Sequence, residues 1–221
     1  MCPGRAIRHL TNTESDNGFP ARVTLCCAMN RLTIAILGAG SGSRMRGGDK
    51  LLEPVDGLPL LRVLAQRGLE TGFPVIVTIP TDAVKRRSAL DGLDVTIISI
   101  PDADTGMSAS FRALQHVTTD LLICLGDMPE ITTAHMGALI AARDGTRPVR
   151  ATSEAGVPGQ PVLFPASLVA RFGELRGDTG ARTFLHDPIF VPLPGDAAVT
   201  DLDTPEDWTA WRAARRNDTR R

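Results

Sequence analysis

The chain has 221 residues, with 24 Lys and Arg against 25 Asp and Glu, a formal net charge of −1. This balance argues against a general nucleic-acid binder, which usually carries a basic excess. Hydrophobic residues make up 43% of the chain, which excludes a disordered protein, and no run approaches the roughly 18 apolar residues of a membrane-spanning helix.

The first 31 residues show neither a helical nor a strand period, and residues 1–31 are expected to form a loose leader. Met29 stands directly before the first clear strand, so a start there, with the upstream stretch as a start-site extension, is the alternative to Met1. The segment lacks the continuous apolar region of a signal peptide.

The four cysteines include no C-x-x-C pair, which favours a reducing, cytoplasmic location. Cys124 is expected to be a buried core residue.

Short, continuously apolar runs recur after the leader, separated by segments with helical spacing. Each run is too short for a helix and too apolar for a sheet with one solvated face. The predicted strands are residues 33–37, 75–79, 95–100 and 121–125. The predicted helices are 60–69, a helix through Leu90 capped by Thr81 with Asp82, 109–117 capped by Ser108, and a helix through Ala142 capped by Thr132 or Thr133.

The alternation of strands and helices predicts an α/β protein whose parallel sheet has helices on both faces. Residues 148–200 contain many prolines, and we expect short strands and two short helices there that close a cleft. Residues 199–202 are predicted to form a last short strand. Residues 204–215 are predicted to form a terminal helix with Thr204 as its N-cap, because proline and two acidic residues follow directly.

A glycine-rich loop directly follows the first predicted strand, where open α/β sheets bind ligands. Its sequence, LGAGSGSRM, does not match the dinucleotide fingerprint, because Ser43 or Met45 stands at the last glycine position. It is not a P-loop either, since Lys50 is followed by Leu rather than Ser or Thr. A phosphate loop, with Arg44 and Lys50 adding charge to backbone N–H groups, is the favoured interpretation over a plain flexible turn.

LGAGSGSRM, followed by DKLLEPVDGLPLL, resembles the signature of the nucleotidyltransferases that activate molybdopterin. Five further segments resemble this family in the family's order: GMSAS at 106–110, LGDMP at 125–129, PGQPV at 158–162, GDTGAR at 177–182 and DLDTPED at 201–207. The resemblance implies a Rossmann-like, three-layer α/β/α nucleotide-diphospho-sugar transferase fold with a mainly parallel sheet. It implies a single domain at 32–215, with a nucleotide-binding half at about 32–130, an acceptor-binding half at about 131–203 and a polar tail at 216–221.

The activity implied by the resemblance is nucleotidyl transfer from a nucleoside triphosphate to the terminal phosphate of molybdopterin, with release of pyrophosphate. Such a step needs in-line positioning and charge neutralisation, for which Mg²⁺ (or Mn²⁺) held by carboxylates is suited. By resemblance the catalytic residues are Arg44, Lys50 and Asp127. The implied metal ligands are Asp127 with Asp203, and Asp201 is the second choice; a turn at Asp127 and a helix cap at Asp203 are the structural alternatives.

The resemblance also implies the substrate contacts. The nucleotide-binding residues expected from it are Leu37, Gly38, Ala39, Gly40, Ser41, Gly42, Gly106, Met107, Ser108 and Ser110. The segment 106–110 is expected to offer exposed N–H groups and hydroxyls at a helix start, with an ordinary N-cap as the alternative. The expected acceptor-binding residues are Gln160, Pro161, Asp178, Gly180 and Arg182. Family members often have His where this chain has Gln160, which puts a general base at that position in doubt.

Two branches of the family differ in their nucleotide. Ala39, GMSAS and LGDMP resemble the cytidylyltransferases, whereas Gly38 departs from them and GGDK at 47–50 resembles the guanylyltransferases. CTP is favoured, since a methyl at position 39 would narrow the base pocket, and GTP is the alternative. Two other classes are weighed. Asp127 and Asp203 argue against a maturation factor that binds the molybdenum cofactor without catalysis, and the unmatched dinucleotide fingerprint disfavours a nicotinamide-dependent oxidoreductase. A molybdoenzyme of the xanthine dehydrogenase type, or its maturation chaperone, is a candidate partner; no nucleic acid or membrane is expected.

Overall fold

A computed structural model describes residues 32–40, 43–177 and 180–218. The predicted leader at 1–31 lies outside these residues. The strands of the described ranges are β1 Leu32–Leu37, β2 Pro54–Val55, β3 Leu58–Pro59, β4 Val75–Pro80, β5 Thr96–Ile100, β6 Asp120–Leu125, β7 Val149–Thr152, β8 Pro158–Phe164 and β9 Ile189–Pro192. The α-helices are α1 Leu60–Glu70, α2 Val84–Ala89, α3 Met107–Leu114, α4 Thr133–Ala142, α5 Ala166–Val169 and α6 Pro205–Asp218. Among the helices of these ranges, none has the length and apolar character needed to cross a membrane.

Seven of these strands form one sheet in the order β5-β4-β1-β6-β8-β7-β9. β1 pairs in parallel with both β4 and β6, and β4 pairs in parallel with β5. β8 runs antiparallel to both β6 and β7, and β7 and β9 are parallel to each other. β2 and β3 form a separate antiparallel pair. The predicted α/β class with a mainly parallel sheet is confirmed.

Both faces of the sheet are covered by buried side chains. Successive residues of a strand point to opposite faces: Ile34 and Ile36 belong to the core under α1 and α4, whereas Ala35 and Leu37 belong to the core under α3. All of β1 is buried, which explains why the strand, apart from Thr33, is apolar on both faces rather than alternating. Cys124 is buried as predicted, and burial raises the pKa of its thiol to about 12.

The predicted cap of the second helix is wrong. Neither Thr81 nor Asp82 caps α2, whose N-cap is Ala83 without a side-chain hydrogen bond. After β4 the chain first makes a tight turn, in which the Ala83 N–H donates to the Pro80 carbonyl at 3.2 Å. The helix therefore begins later in the sequence than the Thr81 hydroxyl and the Asp82 carboxylate predict.

Two further local predictions are wrong. Ser108 does not cap the third helix, because α3 begins at Met107 with Gly106 as N-cap, at a φ of +107° that favours glycine. Residues 199–202 do not form a strand. Their backbone groups bond to turns instead of a strand ladder, as when the Leu202 N–H donates to the carbonyl oxygen of Asp127 at 3.1 Å.

The caps of the fourth and last helices are confirmed. The Thr132 side chain accepts from the His135 N–H, and the His135 side chain accepts in turn from the Thr132 N–H, forming a capping box at α4. α6 begins at Pro205, and the Thr204 hydroxyl accepts from the Asp207 N–H at 3.2 Å.

The side chain of Leu51 packs between the ends of β1 and β6, where glycine is required on both sides. A Cβ on Gly38 would lie 2.9 Å from the Thr78 carbonyl oxygen and 3.4 Å from a Leu51 methyl. A Cβ on Gly126 would lie 2.9 Å from the Leu37 carbonyl oxygen and 3.0 Å from the other Leu51 methyl. These backbone neighbours belong to the sheet, so they have little freedom to move aside.

We expect Gly126→Ala to lower the free energy of unfolding by about 1–3 kcal/mol, the usual cost of overpacking a close-packed interior. The matched control is Gly137→Ala inside α4, where an added Cβ meets nothing within 4 Å. This control should stabilise the protein by up to about 1 kcal/mol through helix propensity. Denaturant unfolding of both variants measures the difference, and a Gly126→Ala variant as stable as the wild type would contradict the prediction.

Candidate active site

The carboxyl ends of β1 and β6 lie side by side, since the two strands are parallel neighbours with Leu37 paired to Leu125. The glycine-rich loop follows β1 and Asp127 follows β6, so both lie at the sheet edge where α/β proteins bind ligands. The Gly126 N–H donates to the Leu37 carbonyl at 3.0 Å, and the Leu202 N–H donates to that of Asp127 at 3.1 Å. Three segments that are distant in the sequence therefore meet at this edge.

Four charged side chains, which we call the ion cluster, lie at this edge: Arg44, Lys50, Asp127 and Asp203. Lys50 Nζ donates to Asp127 Oδ2 and to Asp203 Oδ1, each at 2.6 Å. Arg44 Nη1 donates to Asp203 Oδ2 at 2.5 Å. Lys50 and Asp127 are 12% and 17% exposed, whereas Arg44 is 72% exposed. The cluster thus combines a largely buried Lys50–Asp127 pair with the exposed, flexible side chain of Arg44 at the surface.

The charge state of the ion cluster follows from its contacts. Burial by itself lowers the pKa of Lys50, but the charges of Asp127 and Asp203 and their hydrogen bonds outweigh it, so the pKa is raised overall. Lys50 is therefore charged at neutral pH. The second carboxylate oxygen of Asp127, Oδ1, is buried and has no hydrogen-bond partner among the described residues. A buried polar atom without a hydrogen-bond partner costs folding free energy. Such atoms are typical of functional sites in which a ligand supplies the missing partner.

Asp127 and Asp203 fit a divalent cation such as Mg²⁺ or Mn²⁺, which both prefer carboxylate oxygens, and Asp127 Oδ1 is an acceptor that the fold leaves uncompensated. Asp201 lies near them with much of its surface exposed. Partial desolvation by the neighbouring protein, and then the charge of Asp127, raise the pKa of its carboxyl group. Within the described ranges no three His, Cys, Asp or Glu side chains are grouped as metal ligands. Substrate oxygens would have to complete the ligand set.

The start of α6 fixes the position of Asp203. One oxygen of the Asp207 carboxylate accepts from the backbone N–H groups of Asp203 and Thr204 at 3.2 and 2.8 Å. The Asp207 N–H donates back to the Thr204 hydroxyl, which makes a reciprocal cap. The helix is anchored in turn by Trp208, which is 1% exposed in the core.

Arg86 on α2 belongs to this site and was not found from the sequence. Its Nε and Nη2 donate to the two Asp49 carboxylate oxygens at 2.7 and 3.0 Å. Its Nη1 donates to the carbonyls of Gly38 and Gly40 at 2.7 and 2.9 Å. Asp49 in turn caps the 3-10 turn Lys50–Leu52. Arg86 stands among other charged residues in the short helix VKRRSA, and nothing in that sequence distinguishes the one buried arginine from its exposed neighbours. The sequence therefore does not predict its role.

The segment 106–110 lies at the start of α3 and is less open than predicted. The Ser108 N–H donates to the Gly177 carbonyl at 3.2 Å, and the Ser108 side chain is 0% exposed. Ser110 is 4% exposed, whereas Met107 is 43% exposed. The expectation of exposed N–H groups and hydroxyls is therefore wrong for the two serines, because they pack inside the first turns of the helix. Their contact with a nucleotide stays a prediction.

Ala39 is 5% exposed and packs in a small cluster with Ile100 and Ala109. Its methyl therefore contacts the protein at the start of α3. The placement of this methyl beneath a nucleobase stays a prediction. Ser41 and Gly42, the next predicted nucleotide-binding residues, lie outside the described residues.

The predicted acceptor residues lie at the start of β8 and in the segment after it. Gln160 Oε1 is buried without a hydrogen-bond partner among the described residues, and Pro161 is buried beside it. Gly180 packs near the start of α3, since a Cβ on it would lie 3.5 Å from the sulfur of Met107. Asp178 lies outside the described residues. The structure thus brings the segment around Gly180 to the predicted nucleotide-binding half.

Arg182 is exposed and lies near a second arginine, Arg150 on β7, that was not found from the sequence. Burial, and then the positive charge of Arg182, lower the pKa of Arg150. Arg150 Nε donates to the Gly159 carbonyl at 3.0 Å. The two like charges of Arg150 and Arg182 make this part of the surface favourable for an anion.

A mainly parallel sheet with a glycine-rich loop and carboxylates at one edge is the arrangement by which α/β proteins bind phosphorylated ligands. The model of the MobA-like NTP transferase domain matches residues 34–192. The chain belongs to this family.

Two curated relatives are similar to parts of the chain. Molybdenum cofactor guanylyltransferase of Methylibium petroleiphilum is 28% identical over 147 residues, which cover 63% of this chain and 70% of that protein. Bifunctional protein GlmU of Geotalea uraniireducens is 28% identical over 118 residues, or 51% of this chain. The match spans only 26% of the length of GlmU, so the likeness concerns one part of that protein.

Solved structures are similar over most of the chain. A homologue of Mycobacterium tuberculosis Rv0371c from Mycobacterium sp. strain JC1 has a TM-score of 0.72 and 25% identity, covering 83% of this chain and 96% of that one. The manganese complex of Rv0371c from Mycobacterium tuberculosis H37Rv has a TM-score of 0.65 and 25% identity, covering 82% and 97%. The predicted nucleotide-diphospho-sugar transferase fold is confirmed.

Proposed function

We propose that this nucleotidyltransferase moves the nucleotidyl group of a nucleoside triphosphate onto the terminal phosphate of molybdopterin and releases pyrophosphate. The observation on which this depends is the ion cluster, in which Lys50 lies 2.6 Å from both Asp127 and Asp203 beside the glycine-rich loop. The acceptor is supported by the family and by the relative named molybdenum cofactor guanylyltransferase.

In the proposed reaction an oxygen of the acceptor phosphate attacks the α-phosphorus, and the bond from that phosphorus to the bridging oxygen of pyrophosphate breaks. The attacking oxygen is largely deprotonated at neutral pH, because the second pKa of a phosphate monoester is near 6. The reaction therefore needs no general base, which is consistent with glutamine rather than histidine at position 160.

Lys50 and Arg44 would hold the charge of the β- and γ-phosphates. An ammonium group has three donors, and Lys50 uses two of them on Asp127 and Asp203. The third is available for a phosphate oxygen without breaking either pair. Asp127 and Asp203 would hold Mg²⁺ or Mn²⁺, which supplies countercharge to the departing pyrophosphate. The manganese complex of the structurally similar Rv0371c supports the use of a divalent ion.

CTP is the nucleotide we propose, on the resemblance of Ala39 and of the GMSAS and LGDMP segments to the cytidylyl branch. GTP is the second candidate, because the curated relative is named a guanylyltransferase. A cytoplasmic location, and a molybdoenzyme of the xanthine dehydrogenase type or its chaperone as recipient, complete the proposal.

The test is incubation of the purified protein with molybdopterin and each of the four nucleoside triphosphates, with Mg²⁺ and with Mn²⁺, followed by measurement of pyrophosphate and of the dinucleotide product. We expect product with CTP, and the kcat/KM values for CTP and GTP decide between the two branches. Molybdopterin binding without pyrophosphate release would instead show a maturation factor. If a parallel incubation with a sugar phosphate releases pyrophosphate and the incubation with molybdopterin does not, the protein is a nucleotidyltransferase but molybdopterin is not its acceptor.

A further inference from the structure

We propose that Arg86 is a positioning residue that closes the glycine-rich loop, holds Lys50 at the ion cluster and thereby sets the affinity for a nucleoside triphosphate. Arg86 hydrogen-bonds to Asp49, Gly38 and Gly40, and within the part of the chain that the structure describes its hydrogen bonds do not reach the ion cluster itself. The kinetic consequence rests on the proposed function, whereas the effect on the loop does not.

The contacts of Arg86 join the start of the loop to the segment that follows it. Gly38 and Gly40 stand at its start, and Asp49 stands four residues beyond its last residue, Met45, and directly before Lys50. Four N–H donor bonds from one guanidinium, at 2.7 to 3.0 Å, connect them. A guanidinium has five donors in a planar fork, which suits a carboxylate on one side and carbonyls on the other. The loop is therefore closed at its base by one side chain.

These bonds also orient the peptide groups of the loop. In a planar trans peptide the carbonyl and the N–H that follows it point in opposite directions. Because Arg86 draws the Gly38 carbonyl to its own side, the Ala39 N–H that follows this carbonyl faces away from Arg86. Carbonyl oxygens, which would repel an anion, are thus collected on the buried side of the loop. This is the arrangement that a phosphate-binding loop requires.

The contribution of Arg86 is one of geometry rather than of net charge. Its side chain is 7% exposed and its charge is offset by Asp49. Asp49 has a second contact, since its Oδ1 also accepts from the Leu51 N–H at 3.0 Å and so fixes the turn that presents Lys50. A change at Arg86 is therefore transmitted to Lys50 through Asp49.

The test compares Arg86→Lys with Arg62→Lys. Lysine keeps the charge of Arg86, but its three N–H donors lie on a single nitrogen and lack the planar fork that spans the Asp49 carboxylate and the carbonyls of Gly38 and Gly40. Arg62 on α1 is the matched control, because its Nη1 also donates to two backbone carbonyls, those of Ala89 and Asp91, both at 2.9 Å, away from the loop. We expect Arg86→Lys to raise KM for the nucleotide at least tenfold with kcat changed less than threefold, and Arg62→Lys to leave both unchanged.

A double-mutant cycle tests whether Arg86 acts through Asp49. Asp49→Asn keeps an acceptor for the Leu51 N–H but loses the ionic fork. If the two residues act as a unit, the doubly substituted protein has a KM no higher than that of the worse single variant. Fully additive effects would overturn the transmission through Asp49.

Hydrogen exchange of loop amides in the substrate-free protein tests the proposal without relying on transfer activity. We expect faster exchange at 38–50 in Arg86→Lys and an unchanged rate there in Arg62→Lys. Unchanged loop exchange in Arg86→Lys, or an equal rise of KM in both arginine variants, would overturn the proposal. A wild-type protein inactive with every nucleoside triphosphate would instead overturn the proposed function, and the exchange measurement would still decide the role of Arg86.

Discussion

Asp127→Asn is expected to remove more than nine-tenths of the transfer activity, a loss of at least about 1.4 kcal/mol in transition-state stabilisation. Asparagine keeps the shape of the side chain and an acceptor for Lys50, so the fold should be retained. It removes the negative charge by which the buried carboxylate, with its unpartnered Oδ1, would hold a divalent cation. Steady-state pyrophosphate release at several Mg²⁺ concentrations measures the effect, and we expect the metal requirement of the variant to rise.

The matched control is Asp120→Asn at the start of β6, the strand that Asp127 follows. Asp120 Oδ1 accepts from the Ala166 N–H at 3.0 Å, and an asparagine oxygen can do the same. This variant should keep wild-type activity and metal dependence. If Asp127→Asn retains more than a tenth of the activity, Asp127 is not the main metal ligand, and Asp203 or Asp201 must take that role.

The sheet was predictable because its central strands are buried on both faces. Apart from Thr33, residues 33–37 and 121–125 are apolar, a pattern typical of strands covered by helices on both faces of a sheet. Once these strands are taken as parallel neighbours, the glycine-rich loop and Asp127 must lie at the same edge. Asp203 joined them through the family motif in which it stands, and the structure brings it to Lys50.

Other parts of the site depend on tertiary contacts that no local pattern shows. Arg86 and Arg150 have the spacing of surface residues, and only the packed chain shows that Arg86 is buried against loop carbonyls. Ser108 has the composition of an N-cap, but glycine at 106 starts the helix earlier and places the serine inside it. Residues 199–202 have strand composition, yet their partner is the loop after β6 rather than a strand.

Lys50→Met is expected to lower kcat/KM at least a hundredfold, about 2.7 kcal/mol, and also to destabilise the protein. Asp127 and Asp203 would lose the cation that lies 2.6 Å from each. Breaking a fully buried pair costs about 3–5 kcal/mol. Because Asp203 is 27% exposed and keeps Arg44, we expect a smaller loss, about 1–3 kcal/mol of unfolding free energy.

Lys85→Met is the control for this variant, since Lys85 is the other of the two lysines in the chain and is exposed on α2. It should change neither activity nor stability.

Thermal unfolding with increasing Mn²⁺ adds a readout that does not depend on substrate. Without Lys50 to compete for the two carboxylates, Mn²⁺ should raise the melting temperature of Lys50→Met more than that of the wild type. A variant that is destabilised but fully active would show that Lys50 neutralises the carboxylates only and does not bind the phosphates of the nucleotide.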